Sequence, residues 1–264
     1  MTFWEILTKA VGDLVAHGYD RESRLNEWME RLKDAAIDEL GPLSESVEKL
    51  RAALRGVYAR QTVSGAILKA HPGIEKITLQ MIEPQLRSVL DRRIMASADL
   101  IKLNREQAIQ KTLQRFSGWA TSIPAGGSSA VDRNEVKRHI AKSLQSSTFE
   151  ERRLAIDQGH KLIANISAVL AEQTGAIAAK WRHVHQAGYD GRPEHEARDG
   201  VWFVIRDSWA AKKGFMKPGL YSDAMDQPSE APYCRCWWEY ADALTDVPDE
   251  LLTKAGIKAK HITD

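Results

Sequence analysis

Two stretches, Val201-Trp202-Phe203-Val204-Ile205 and Cys236-Trp237-Trp238-Glu239-Tyr240, decide the fold class of this chain. Both are short, apolar and rich in β-branched or aromatic residues, which suits strands on a packed sheet. Between them runs a turn-rich segment with Gly214, Pro218, Gly219, Pro228 and Pro232. Almost everything upstream reads as helix. The expected class is therefore α+β, with a long, mainly helical N-terminal part followed by a compact C-terminal α+β module carrying a small sheet.

The helical reading rests on spacing and stop signals. Thr2-Phe3-Trp4-Glu5 is a capping-box pattern. Phe3, Leu7, Ala10, Val11 and Leu14 then share one face of a helix that stops near Gly18. A second helix from Asp20 buries Leu25, Trp28, Met29, Leu32 and Ala36 and ends at Gly41-Pro42. A third aligns Val47, Leu50, Leu54 and Tyr58. After a break at His71-Pro72-Gly73, a long helical run from Ile74 to Phe116, with a kink expected at Pro84, puts Leu86, Leu90, Ile94 and Ile101 on one stripe. Its basic residues Arg87, Arg92, Arg93, Lys102, Arg105, Lys111 and Arg115 are interleaved with Asp91, Asp99 and Glu106 and read as a solvated face. Capping boxes at Asp132–Glu135 and Thr148–Glu151 open two more helices, the second running to Lys180 with a break near Gly159. Pro124-Ala125-Gly126-Gly127-Ser128-Ser129 is the low-complexity segment of the chain. The expected organisation is thus a helical region 1–117, a linker 118–131, a module 132–244 and a tail 245–264.

Composition sets limits. At 264 residues, with 28% charged side chains and a formal net charge of +1, no global field draws the chain to nucleic acid or an anionic membrane. No secretory signal is read at Met1-Thr2-Phe3-Trp4-Glu5, and no apolar run approaches the roughly 20 residues of a membrane span. A soluble protein made in a reducing cytoplasm is expected. Bridging two cysteines one residue apart would close almost no loop, so thiols or metal ligands are expected instead of a disulfide.

Chemistry-bearing residues gather between Trp181 and Tyr240. This stretch holds both cysteines, together with His183, His185 and His195. His195, Cys234 and Cys236 have the donor types of a zinc site, with His183 or His185 as a fourth ligand. The C-x-C spacing weighs against it, being tighter than the C-x₂₋₄-C of zinc knuckles. The residues alone therefore favour two small buried thiols on a strand, His195 bonded to nearby backbone, and no cofactor. No catalytic residue is assigned, because neither thiol is marked as activated and no oxyanion-hole motif accompanies them. A metal nuclease would need a further histidine or asparagine after His195, and Asp199-Gly200-Val201 does not supply one. Residues 181–240 hold eight Lys/Arg against nine Asp/Glu, which leaves no electrostatic footprint for DNA. Arg192 and Arg235 are expected to be paired, with Glu194 or Asp199 as partners.

The order of these elements resembles the phage Mu F-like head morphogenesis proteins, also called minor head proteins. The resemblance runs through a long helix ending in Trp181, an R-x-x-H element at Arg192–His195 and the Asp199-Gly200 turn. It continues through an apolar strand containing Phe203, a Pro/Gly-rich segment, and Cys234-Arg235-Cys236. Tyr233 stands where the family often has asparagine. The resemblance covers roughly residues 130–240 and implies a helical N-terminal extension of variable sequence. It further implies a non-catalytic role in prohead assembly, docking on the portal or major capsid protein of the same phage, with packaged DNA as a further contact and no membrane partner. The rival reading is a metal-dependent nucleic-acid-binding protein or nuclease built on His195, Cys234 and Cys236.

Overall fold

The computed structural model describes residues 1–71, 74–185 and 191–262. In chain order come α1 (Phe3–His17), α2 (Glu22–Leu40), α3 (Leu43–Thr62), a 3-10 turn (Ala66–Ala70), α4 (Lys76–Met81), α5 (Glu83–Ala120), α6 (Arg133–Gln145) and α7 (Ser147–Thr174). Then follow β1 (Ala178–Arg182), α8 (Pro193–Glu196), β2 (Trp202–Val204), α9 (Trp209–Lys212), β3 (Trp237–Ala241), two 3-10 turns and α10 (Lys254–Lys260). The fold is α+β, with its small antiparallel sheet near the C-terminus. Among the described residues, no helix is long and apolar enough to cross a membrane.

The chain forms two compact units, one from Met1–Leu50 and Ala96–Leu154, the other from Arg51–Met95 and Ala155–Asp264. The sequence placed the main boundary at 118–131, but that segment lies within the first unit. Its backbone is tied to the end of α1: Gly126 N–H donates to His17 O (3.0 Å), Ser128 N–H to Val15 O (2.9 Å), and Tyr19 N–H to Ile123 O (3.2 Å). Val15 and His17 belong to the last turn of α1, whose carbonyls have no partner within the helix. The glycines permit the approach, since a Cβ on Gly127 (φ +86°) would stand 2.2 Å from Val15 O. A glycine-rich run that reads as a flexible linker is here a helix cap.

The first unit buries the expected face of α1 (Phe3, Leu7, Ala10, Val11, Leu14) against Leu25, Leu32, Ala35 and Ala36 of α2, with Phe116, Ala120, Ile140, Ala141 and Leu144. Trp28 and Met29 pack on this core half-buried. Thr2 and Glu5 form the reciprocal capping box, and Asp132 caps α6 through the N–H groups of Asn134 and Glu135. Thr148–Glu151 is not a cap, because α7 begins at Ser147. Glu151 instead accepts from Arg105 Nε at 2.6 Å and from Ser46 Oγ at 2.8 Å, while Arg105 also donates to Gly41 O at 2.8 Å. Arg105 is thus an interior connector of four elements and not part of a solvated face.

In the second unit, the run expected from Ile74 is broken at Ile82, and Pro84 sits in the first turn of α5, where its missing N–H leaves no helical bond unmade. Pro72 and Gly73 of the expected break lie outside the described residues. α7 passes Gly159 unbroken but ends at Thr174 instead of running to Lys180. Gly175 (φ +71°) stops it, with Ala176 N–H returning to Ala171 O (2.9 Å) and Gly175 N–H to Glu172 O (3.3 Å), the paired bonds of a Schellman end. The chain re-enters as β1, so Trp181 belongs to a strand and does not end a helix. Alanines at 176, 178 and 179 favour helix locally, and pairing on both edges of β1 overrides that preference.

The sheet order is β2-β1-β3, antiparallel throughout, with Trp181 opposite Trp238 and Ala179 opposite both Phe203 and Tyr240. Alternation divides the sheet. Ala178, Val204 and Ala241 pack with Ile177, Ala210, Leu244 and Leu252, whereas Ala179, Trp181, Phe203 and Trp238 pack with Cys234 and Cys236.

Candidate functional site

The second of those faces brings most of the singled-out residues together. Trp181 is fully buried at the centre, and its ring meets the edges of Trp238 (5.1 Å) and His195 (5.2 Å), with Phe203 against Trp238 at 5.3 Å. His195 comes from α8, a single turn begun by Pro193. Cys234 and Cys236 precede β3 in non-repetitive backbone, so they are not strand residues. Both cysteines are 1% exposed and His195 2%.

Three ligand-type atoms converge here. His195 Nδ1 lies 3.4 Å from Cys234 Sγ and 3.6 Å from Cys236 Sγ. The other ring nitrogen, Nε2, faces Asp226 Oδ2 at 2.9 Å, in place of the expected bond to backbone. A carboxylate only accepts, so Nε2 is a donor here, and Nδ1 is the ring nitrogen that faces the sulfurs. Asp226 is held in turn by Arg198 Nη1 at 2.6 Å, and the Arg198 guanidinium lies over the Trp181 ring. Burial acts to raise the Asp226 carboxyl, but Arg198 and His195 together hold it below its ordinary value. Neither Asp226 nor Arg198 carried a local signal: one sits in a turn-rich segment, the other looked like one more surface charge.

The remaining motif residues are fasteners around this cluster. Arg192 donates to Pro232 O at 3.1 Å, tying the start of α8 to the turn before Cys234. It pairs with neither Glu194 nor Asp199. Asp199 accepts from His183 N–H (2.9 Å) and bonds His185 Nε2 (2.9 Å), contacts that lower its carboxyl below the usual range. Gly200 (φ +79°) makes the turn that lets its N–H reach Trp181 O (2.9 Å) and begin the β1–β2 pairing. Burial first and the Arg235 charge second lower the His160 imidazole. Tyr233 adopts φ +61°, the left-handed region in which asparagine or glycine is less strained, and its N–H donates to Asp157 Oδ1 at 2.6 Å.

Of the other two histidines, His183 puts Nδ1 3.4 Å from Cys236 Sγ, while His185 is drawn away to Asp199. The neighbouring Cys236 thiol holds the Cys234 thiol below its ordinary value. A thiolate is nucleophilic in principle, yet both sulfurs are buried among the rings of Trp181, Phe203 and Trp238. The chemistry the arrangement suits is donation of sulfur and nitrogen lone pairs to a single centre. No family model, no curated protein and no solved structure matches the chain.

Proposed function

We propose that the protein is a minor head protein of the Mu F-like kind, a non-catalytic component of the phage head that docks on the portal or the major capsid protein during prohead assembly. It is carried in the virion near the portal and aids packaging or delivery of DNA. One observation carries the reading. Trp181, Arg192, His195, Asp199, Gly200, Phe203 and the Cys234–Cys236 pair, the residues on which the resemblance rests, gather around one buried cluster. Their spacing along the chain is explained by folding: each one seals the cluster or fastens a loop that bears on it. A motif that specifies a folded module suits an assembly protein.

The test is co-expression of the full chain with the portal and coat proteins of the same genome, followed by the mass of any co-purified complex. A defined complex is expected, with cross-links falling in residues 1–50 and 96–154. A folded, monodisperse chain that binds neither protein overturns the proposal, and cleavage of DNA by that chain would replace it with the nuclease reading.

A further inference from the structure

We propose that His195 Nδ1, Cys234 Sγ and Cys236 Sγ are three ligands of one structural metal ion of the zinc class, a site independent of any docking partner. Geometry carries the assignment. The three ligand atoms lie within 4.8 Å of one another and all three residues are buried. With Zn–N about 2.1 Å and Zn–S about 2.3 Å, neighbouring ligands on a tetrahedron stand about 3.6 Å apart. The two nitrogen–sulfur separations are 3.4 and 3.6 Å. His183 Nδ1, 3.4 Å from Cys236 Sγ, borders the fourth position. Two thiolates with imidazole select zinc over the hard, oxygen-seeking cations.

The tight C-x-C spacing, which weighs against chelation in the bare sequence, loses its force here. Both sulfurs reach His195 Nδ1, at 3.4 and 3.6 Å, so the spacing does not keep them from one shared centre. The surroundings fit as well. A metal-bound histidine ordinarily donates its second nitrogen to a carboxylate, which fixes tautomer and ring orientation. Asp226, oriented by Arg198, stands in that place. Trp181 Nε1, buried in the same cluster as Cys236, has no hydrogen-bond partner among the described residues.

The experiment is metal analysis of the full chain purified from zinc-supplemented cells. About one zinc per chain is expected, and it should be lost in Cys234→Ser and Cys236→Ser. Because either variant can fail to fold, wild-type protein is also stripped with a chelator and titrated with Co(II). An intense sulfur-to-cobalt charge-transfer band with tetrahedral visible absorption is expected. Asp226→Ala should keep the site and weaken metal affinity about 10–100-fold, as expected of a positioning residue. Folded wild-type chain with neither zinc nor the cobalt–thiolate band overturns the proposal. Undiminished metal in a folded Cys234→Ser/Cys236→Ser protein does so too.

Discussion

At position 71 an imidazole is sealed from water, stacked on Tyr240 at 5.2 Å with Nε2 facing Ser167 Oγ at 2.9 Å. Burial pushes its pKa down to about 4, from an ordinary value of 6.5. Above pH 6.5, His71 is neutral folded or unfolded and adds no pH dependence. Between about 6.5 and 4 the unfolded chain takes up the proton first, so stability falls as pH falls, by up to about 3 kcal/mol at the lower end. His71→Phe should flatten the pH dependence in that window, measured by denaturant unfolding at a series of pH values. The same slope in variant and wild type would remove His71 as its source. Carboxylates such as Asp226 and Asp199, held low when folded, lose their contribution only further down. Nothing in the sequence marked His71, a lone histidine before a Pro-Gly pair. Its environment is made by α7 and β3, far along the chain, and contacts of that range leave no local trace. His195 and the cysteines were visible as donor types; their convergence was not.

Elements were legible wherever a local signal and the tertiary demand agreed. The face of α1, the Thr2 cap and the stretches that became β2 and β3 were all readable. β1 was missed because its alanines favour helix and only Gly175 marks the change, whereas Arg105 looked exposed because its partners lie on other helices. α10 illustrates the same conflict and supports a prediction. Replacing glycine by alanine in a helix interior ordinarily gains about 1 kcal/mol. At Gly256 a Cβ would stand 2.2 Å from the carbonyl oxygen of Phe215, a backbone atom that cannot swing aside. Thr253 fixes that approach, capping α10 through Gly256 N–H (3.1 Å) while its hydroxyl donates to Gly214 O (2.8 Å). Gly256→Ala should therefore destabilise the protein by about 1–3 kcal/mol in thermal or denaturant melts. An unchanged or raised melting temperature would show that α10 can lift away from Phe215 without loss.

The whole molecule interleaves its two units along the chain: residues 51–95 belong with the sheet, although α5 carries the chain from them back into the first unit. A fragment of residues 132–264, which the linker reading would treat as a module with its tail, lacks His71 and Ile67 and leaves Tyr240 without its stacking partner. It should give no cooperative melting transition by circular dichroism; a sharp one would mean that the C-terminal part folds alone. The glycine-rich segment invited the linker reading because composition reports what backbone can do, not what it is bonded to. The position of β1 has a further consequence, for order of assembly during synthesis. As the central strand it is flanked on one side by β2 and on the other by β3, which ends at Ala241. A nascent chain whose Trp181 has just emerged from the ribosome therefore still awaits the strand that closes its second edge, and both sulfurs of the cluster. The first unit has all its residues free once Leu154 has emerged, while residues 51–95 wait, made but unmatched, for nearly everything that follows.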